Sequence, residues 1–176
     1  MTGLRHPELD ADWWPPGAVP REVDGALLHA TCGRGAWLVA QANPLTVRVG
    51  VDPVQQNLTA ARERAALEDV RCGFAPATSW ELPFADGCFA RVVDSGGLQT
   101  AADPMAVLVE LLRVLAHDGE LVLTWGDGAG AESVQWPTRR GVTAHEVLGW
   151  AEELGAEVTQ GGAHRGVAYA VVRRWG

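Results

Sequence analysis

The sequence predicts a three-layer α/β domain built around a mostly parallel sheet. Short apolar runs bounded by turn residues alternate with longer segments of helical spacing, which is the pattern of repeated βα units. The 176 residues fit one domain, because a chain of this size buries roughly 70% of its unfolded surface. We expect an arm broken by prolines over residues 1–24 and a single domain over residues 25–176.

Five strands and one crossover helix are predicted in the first part of the domain. The strands are the apolar runs 26–30, 46–51, 70–74, 91–94 and 120–124. The helix begins with Asp103 as N-cap and Pro104 as first residue, and leucines and valines then recur at helical spacing through Leu115. Its apolar stripe is expected to pack on the sheet.

The last helix and two more strands complete the predicted sheet. Thr143 and Glu146 form a capping box, and Gly155 supplies a left-handed stop. The runs 157–160 and 167–173 are joined by a connection too short for a parallel crossover, so they form an antiparallel hairpin. The prediction is therefore a seven-stranded sheet, mostly parallel, with an antiparallel last strand.

Composition excludes several classes of function. The chain carries 22 acidic and 14 basic residues, so its surface repels phosphate backbones and nucleic acid is not an expected partner. Every basic residue is arginine, which excludes lysine Schiff bases and a Walker lysine. Cys32, Cys72 and Cys88 form no CxxC pair, so we expect reduced thiols and no metal site. Without a membrane-length apolar run or a signal peptide, a cytoplasmic protein without membrane contact is expected.

The first predicted strand runs into a turn that contains Gly33 and Gly35. Glycines there let the backbone approach a ligand closely and leave amide donors facing outward. Asp52 ends the second strand, 19 residues after Gly33, the placement from which a carboxylate accepts both hydroxyls of a ribose. The pair predicts a site for an adenosine-type cofactor, and a turn that is merely tight is the alternative.

Four motifs in order resemble the class I S-adenosylmethionine-dependent methyltransferases of the small-molecule kind. They are Cys32-Gly33-Arg34-Gly35, Val49-Gly50-Val51-Asp52, the Leu-Pro-Phe-Ala-Asp-Gly-x-Phe run at 82–89, and the Arg-Val-Leu-x-x-x-Gly-x-Leu-Val-Leu run at 113–123. The resemblance extends from about Gly25 to the C-terminus. It implies a Rossmann-like three-layer sandwich, S-adenosylmethionine as cofactor, and methylation of a small-molecule substrate in small-molecule metabolism.

The resemblance also assigns site residues, position by position. It places Cys32, Gly33 and Gly35 by the methionine portion with His29 at the ammonium end, Asp52 on the ribose, Pro53 against the adenine, Thr78, Ser79 and Trp80 at the adenine edge, and Asp94, Ser95 and Gly96 near the sulfonium. Asp94 ends a central strand and is the candidate for a polar or basic catalytic role, with a plain strand-end cap as the alternative.

Several of these positions differ from the family's usual residues. His29 stands where relatives carry an acid, Thr31 where they carry glycine, Thr78 where they commonly carry aspartate, and Ala90 where they carry an acid after the phenylalanine. At about 1 to 3 kcal/mol for each lost buried partner, the combined change could take a micromolar cofactor affinity to millimolar.

These differences leave a second interpretation open. It is a methyltransferase-fold protein that no longer methylates, either a non-catalytic partner of an active enzyme or an enzyme that reuses the pocket for another reaction. A nicotinamide-dependent oxidoreductase is disfavoured, because the turn lacks the third glycine of that fingerprint. A homodimer and a complex with a partner protein both stay open, as do the substrate and the methylated atom.

Overall fold

Seven strands form one sheet in the computed structural model, which describes residues 25–41, 46–126, 141–164 and 167–174. The predicted arm over residues 1–24 lies outside the described residues. The strands are β1 (Ala26–Ala30), β2 (Val47–Val51), β3 (Gly73–Ala75), β4 (Phe89–Ser95), β5 (Leu115–Gly126), β6 (Ala156–His164) and β7 (Val167–Arg174). The helices are α1 (Ala36–Ala40), α2 (Gln55–Leu67), α3 (Gly97–Thr100), α4 (Pro104–Val114) and α5 (Ala144–Glu153).

The strand order is β3-β2-β1-β4-β5-β7-β6. β1 pairs in parallel with both β2 and β4, and β4 pairs in parallel with β5. β7 lies antiparallel between β5 and β6, which confirms the predicted C-terminal hairpin and the antiparallel last strand. The chain winds outward in both directions from β1 and β4, so the carboxyl ends of these two strands form the switch point of the sheet.

Three strand boundaries differ from the prediction by three residues or more, and one of them is the end of β6, which runs to His164 instead of residue 160. β3 is confined to Gly73–Ala75, because Val70 instead donates its amide to the Ala65 carbonyl at 2.9 Å and closes the end of α2. β5 starts at Leu115, five residues early, where it pairs with Phe89 before a register shift to the pair of Arg91 with Glu120. The residues between those two pairs form an irregularity inside the ladder.

The predicted helix starts are confirmed. Asp103 accepts hydrogen bonds from the Met105 and Ala106 amides, and Pro104 opens α4. Thr143 and Glu146 form the reciprocal capping box of α5. Both starts are specified by residues within one helical turn, so the local sequence is sufficient to predict them.

The two faces of the sheet bury separate apolar clusters. One cluster packs α4 and α5 on inward residues of the strands, such as Leu28, Val92 and Leu121. The other joins Trp37 and Leu38 of α1 to Val93 and Val122. Helices therefore cover both faces, as the three-layer prediction requires. Within the described part of the chain, no helix has the length and apolar character needed to cross a membrane.

Candidate functional site

The candidate site lies at the carboxyl ends of β1, β2 and β4. In open α/β sheets, ligands bind in the crevice outside the strand ends at the switch point. The turn after β1, Asp52 after β2 and residues 94–96 of β4 and its following turn meet at this edge. The fold thus brings together three segments that are far apart in sequence.

The two glycines of the first turn serve different purposes. Both are left-handed, with φ of 54° at Gly33 and 75° at Gly35. A Cβ at Gly35 would lie 2.8 Å from the Ala61 Cβ, so this glycine is needed for the packing of α1 on α2. A Cβ at Gly33 would meet none of the described atoms within 4 Å. Gly33 is therefore the one that borders open space, where a ligand can approach the backbone.

Asp52 ties this turn to the start of α2. Its Oδ2 accepts from the Gly33 amide at 3.0 Å, and its Oδ1 accepts from the Val54 amide at 2.9 Å and from Asn57 Nδ2 at 3.0 Å. A carboxylate offers about four lone-pair sites, and three are occupied here. Acceptor capacity remains on Oδ2 for one more donor, such as a hydroxyl group.

Cys32 lies in the same turn and is a packing residue. Its amide donates to the Val51 carbonyl at 2.8 Å, and its side chain is buried against Gly50, where a Cβ would lie 2.8 Å from the sulfur. Burial, reinforced by the charge of Asp52, raises the pKa of the thiol to about 12. Cys32 is therefore a neutral thiol at physiological pH.

His29 is buried in β1 and uncharged. Its Nε2 lies 3.0 Å from Ser95 Oγ, and its ring packs edge-on against Trp37 with a centroid separation of 5.0 Å. Burial lowers the pKa of the imidazole to about 3. A neutral ring does not repel a cationic ligand. Its Nδ1 has no hydrogen-bond partner among the described residues.

Thr31 joins the ends of β1 and β4. Its hydroxyl lies 3.3 Å from Asp94 Oδ1 and 3.1 Å from the Ser95 carbonyl, and it accepts from the Ser95 amide at 3.2 Å. Thr31 has a φ of 60°, a strained value for a β-branched residue, at a cost on the order of 1 to 3 kcal/mol. These hydrogen bonds hold the backbone in that conformation.

Asp94 lies beneath α3 and has no exposed surface. Its Oδ2 accepts from the Leu98 amide at 3.3 Å, and a Cβ on Gly97 would collide with its carboxyl group. Desolvation raises the pKa of this carboxyl group to about 7. The geometry matches the strand-end cap that the sequence left as an alternative, and a catalytic role for Asp94 stays a prediction.

The predicted adenine edge carries two buried hydroxyl groups. Thr78 Oγ1 and Ser79 Oγ make no hydrogen bond within the described part of the chain. Trp80 next to them is 45% exposed, and Pro53 after β2 is exposed. Buried hydroxyls without partners cost about 1 to 3 kcal/mol each, unless a ligand or water satisfies them.

Residues that the sequence did not single out hold this edge in place. Arg113 of α4 donates to the carbonyls of Leu82 and Phe84 at 3.1 and 2.8 Å and pairs with Asp86 at 2.6 Å. Glu110 accepts from the Leu82 amide and from Arg113. We call these contacts of Arg113 the arginine clamp. It links two of the four sequence motifs, the 82–89 run and the 113–123 run, so the motifs themselves were the clue that the sequence offered.

A second residue missed by the sequence reasoning is Gln99 of α3. It is buried, and its Oε1 accepts from the Gly126 amide at 3.0 Å, joining α3 to the end of β5. A glutamine shortly after a pair of glycines at a strand end was the available signal. In the described ranges, no group of three or more His, Cys, Asp or Glu residues is placed to hold a metal ion.

Comparison with known sequences finds one matching family and several related proteins, each over part of the chain. Residues 28–123 match the model of a family described as a methyltransferase domain. A demethylmenaquinone methyltransferase of Thermus thermophilus is 34% identical over 115 residues, which cover 62% of this chain and 52% of that protein. One of Deinococcus radiodurans is 36% identical over 106 residues, covering 59% and 42%. The chain thus spans about half the length of the curated relatives it matches.

Comparison with solved structures finds the same architecture. A protein from Pyrococcus horikoshii superposes with a TM-score of 0.74 at 18% identity, covering 87% of this chain and 83% of that one. An S-adenosylmethionine-dependent methyltransferase from Aquifex aeolicus gives 0.71 at 16% identity, with 85% and 83% covered. The [4+2]-cyclase SpnF gives 0.71 at 20% identity, with 88% and 77% covered. At these identities the likeness establishes the fold alone.

Proposed function

This chain belongs to the methyltransferase domain family, and on that premise we propose that it transfers a methyl group from S-adenosylmethionine to a small molecule. S-Adenosylmethionine is the cofactor that this family implies. The matched segment, residues 28–123, contains every strand-end residue of the candidate site. The observation that carries the proposal is the open left-handed turn at Gly33 beside the buried carboxylate of Asp52.

The residues present at the strand ends fit this cofactor. Asp52 Oδ2 retains acceptor capacity for a ribose hydroxyl, and the hydroxyls of Thr78 and Ser79, which meet no hydrogen-bond partner among the described residues, suit a polar adenine edge. His29 is neutral, so it offers a nitrogen to the methionine end without repelling the cofactor's positive charges. These three features support binding despite the changed residue types.

Methyl transfer mainly requires the protein to align the acceptor atom with the methyl carbon of the cofactor. The bound cofactor supplies an electrophilic methyl carbon, and an in-line displacement needs the acceptor atom to be held opposite the leaving sulfur with water excluded. In this proposal Gly33 and Asp52 hold the cofactor. Asp94 acts as a positioning residue that fixes α3, and with it the backbone at Gly96, instead of removing a proton.

The names of the relatives favour an aromatic acceptor. The Thermus and Deinococcus relatives are both demethylmenaquinone methyltransferases, so a small quinol-like ring is the substrate class that we propose to test first. This chain covers only about half of their length, so the acceptor has to be established on this protein itself.

A second candidate function is another reaction in the same pocket. The cyclase SpnF has the same architecture, so this fold also occurs in an enzyme named for a different chemistry. In this chain, three of the lone-pair sites of Asp52 are already occupied by the protein itself. An enzyme of this kind would bind the cofactor weakly or retain it without turnover.

Calorimetric titration with S-adenosylmethionine and S-adenosylhomocysteine tests the proposal. We expect micromolar binding to the unaltered protein and at least tenfold weaker binding to Gly33→Ala, because the new methyl group occupies the open space. Gly155→Ala is the matched control. Gly155 is also left-handed, and a Cβ there would also meet no described atom within 4 Å, yet it lies at the end of α5.

The outcomes separate the two candidates. Equal weakening in both glycine variants would assign the effect to backbone strain and remove the support from the Gly33 turn. No heat at millimolar ligand, from a sample shown to be folded, would overturn the methyltransferase proposal. Micromolar binding without methyl transfer to demethylated quinols would exclude this acceptor class, and binding without transfer to any small-molecule acceptor would favour the second candidate.

A further inference from the structure

A groove of about 560 Å³ lies between α2 and the amino ends of β2 and β3. Its walls are residues 46–48, residues 62, 65 and 66 of α2, and residues 70–74. Volumes of roughly 300 to 1,000 Å³ are typical of small-molecule sites. We call it the arginine groove.

The arginine groove is positively charged, whereas the chain as a whole is negatively charged. The protein has a net charge of −8, yet the groove is lined by Arg48, Arg62 and Arg71 and by no carboxylate among the described residues. Guanidinium groups present forked donors that match carboxylate and phosphate oxygens. The lining therefore selects an anion.

The three arginines are arranged from the wall to the mouth. Arg48 is buried, and its Nη1 donates to the Gln41 carbonyl, which holds the guanidinium in place. Arg62 Nη2 donates to the Phe74 carbonyl at 3.0 Å, one of the five N–H bonds that an arginine offers. Arg71 is exposed at the rim. An anion in the groove can thus contact guanidinium groups on more than one side.

Most of the rest of the lining is apolar. Ala65, Val70 and Phe74 form the floor, and the exposed Ala66 and Val47 lie at the rim, where Val47 is 63% exposed. A Cβ at Gly73 would find its nearest neighbours at 3.9 Å, so this edge is not crowded. An apolar group bound here would bury the apolar side chains of the rim and floor, which is favourable.

The arginine groove is separate from the strand-end site. Val47 and Asp52 stand at opposite ends of β2, and five residues at about 3.3 Å each place them roughly 17 Å apart. We propose that the groove is a second binding site for a small organic anion, a carboxylate or phosphate ester carried on an apolar body. The proposal does not depend on the methyltransferase activity.

An amide NMR titration of the full chain with phenyl phosphate tests it. We expect saturable shifts at residues 46–48 and 70–74, with a millimolar or tighter dissociation constant, and at least fivefold weaker binding by Arg71→Gln. Arg174→Gln is the matched control, because it removes the same charge from an exposed arginine at the end of β7. Inorganic phosphate and phenol, each carrying half of the probe, are expected to bind more weakly.

Benzoate in a parallel titration identifies the preferred anion, carboxylate or phosphate. Equal weakening in the two arginine variants would reduce the effect to overall charge and overturn the proposal. Shifts confined to residues outside the groove would overturn it as well. Inorganic phosphate binding as tightly as phenyl phosphate would overturn the role of the apolar floor.

Discussion

The two unusual residues of β1 and its following turn converge on one partner. His29 reaches Ser95 Oγ, and Thr31 accepts from the Ser95 amide. From the sequence, His29 and Thr31 count as separate losses from the family's pattern, but residues in one hydrogen-bonded network do not contribute additively. Their combined effect on cofactor affinity is therefore not the sum of two single effects.

Also at the scale of single residues, the carboxyl group of Asp94 makes the stability of the fold depend on pH. Its carboxyl group has a pKa of about 7 in the folded protein, above the ordinary value of 3.8. An acid whose folded pKa is raised contributes stability that is fully present below about pH 4 and is lost as pH rises through 7. Above that pH, the contacts with the Leu98 amide and the Thr31 hydroxyl offset only part of the desolvation cost of the buried carboxylate.

Asp94→Asn is expected to remove this pH dependence. The amide has nearly the same shape and carries no charge, so the free energy of unfolding should rise by up to about 4 kcal/mol at pH 8 and by well under 1 kcal/mol at pH 4. Urea denaturation of the unaltered protein and the variant at both pH values measures these free energies of unfolding. Asp118→Asn, at a fully exposed carboxylate, is the control and should change neither value. A gain of the same size at both pH values would contradict the burial argument.

At the scale of elements, the arginine clamp connects α4 to the loop before β4. Arg113 pairs with Glu110 and Asp86 and also satisfies two backbone carbonyls of that loop. The hydrogen bonds to Glu110 and then to Asp86 raise the pKa of the guanidinium above its ordinary value. A single side chain therefore sets the position of the segment that follows the predicted adenine edge.

Arg113→Ala is expected to lower the free energy of unfolding by about 2 kcal/mol, because the loop loses several charge-assisted hydrogen bonds at once. Hydrogen exchange should accelerate at residues 82–87 before it does in the strands. Arg173→Ala is the control, since Arg173 is exposed and makes a surface ion pair with Glu120, which is worth about 1 kcal/mol or less. Equal losses in the two variants, without local exchange at 82–87, would contradict the clamp.

At the scale of the whole molecule, the sheet has two distinct ends. The carboxyl end holds the strand-end site, and the amino ends of β2 and β3 hold the arginine groove. No described residue belongs to both sets. Ligands at the two ends should therefore bind without competing.

Ligand-linked stability tests this independence. S-Adenosylhomocysteine at 100 times its dissociation constant should raise the free energy of unfolding by about 2.7 kcal/mol, which for a domain of this size is a rise of roughly 5 to 10 °C in Tm. Phenyl phosphate should add its own increment on top, because the two sites share no lining residue. Thermal unfolding with each ligand and with both measures this, and a combined shift no larger than the greater single one would contradict it.

The sequence by itself determined the seven strands in their order along the chain, the helix starts at Asp103 and Thr143, and the C-terminal hairpin. These features depend on periodicity and on contacts within a few residues, so a local pattern is sufficient to predict them. It also indicated which segments meet at the carboxyl edge, because parallel strands end on the same side.

Only the tertiary structure decided what the side chains at that edge contact. The early start of β5 depends on pairing with Phe89, the burial of Asp94 depends on the close approach of Gly97, and the clamp joins Arg113 to residues 27 to 31 positions away. Such contacts arise when the helices pack on the sheet, and no local pattern encodes them. The strand-end residues were predictable from the chain, whereas their charge states and hydrogen-bond partners were set by packing.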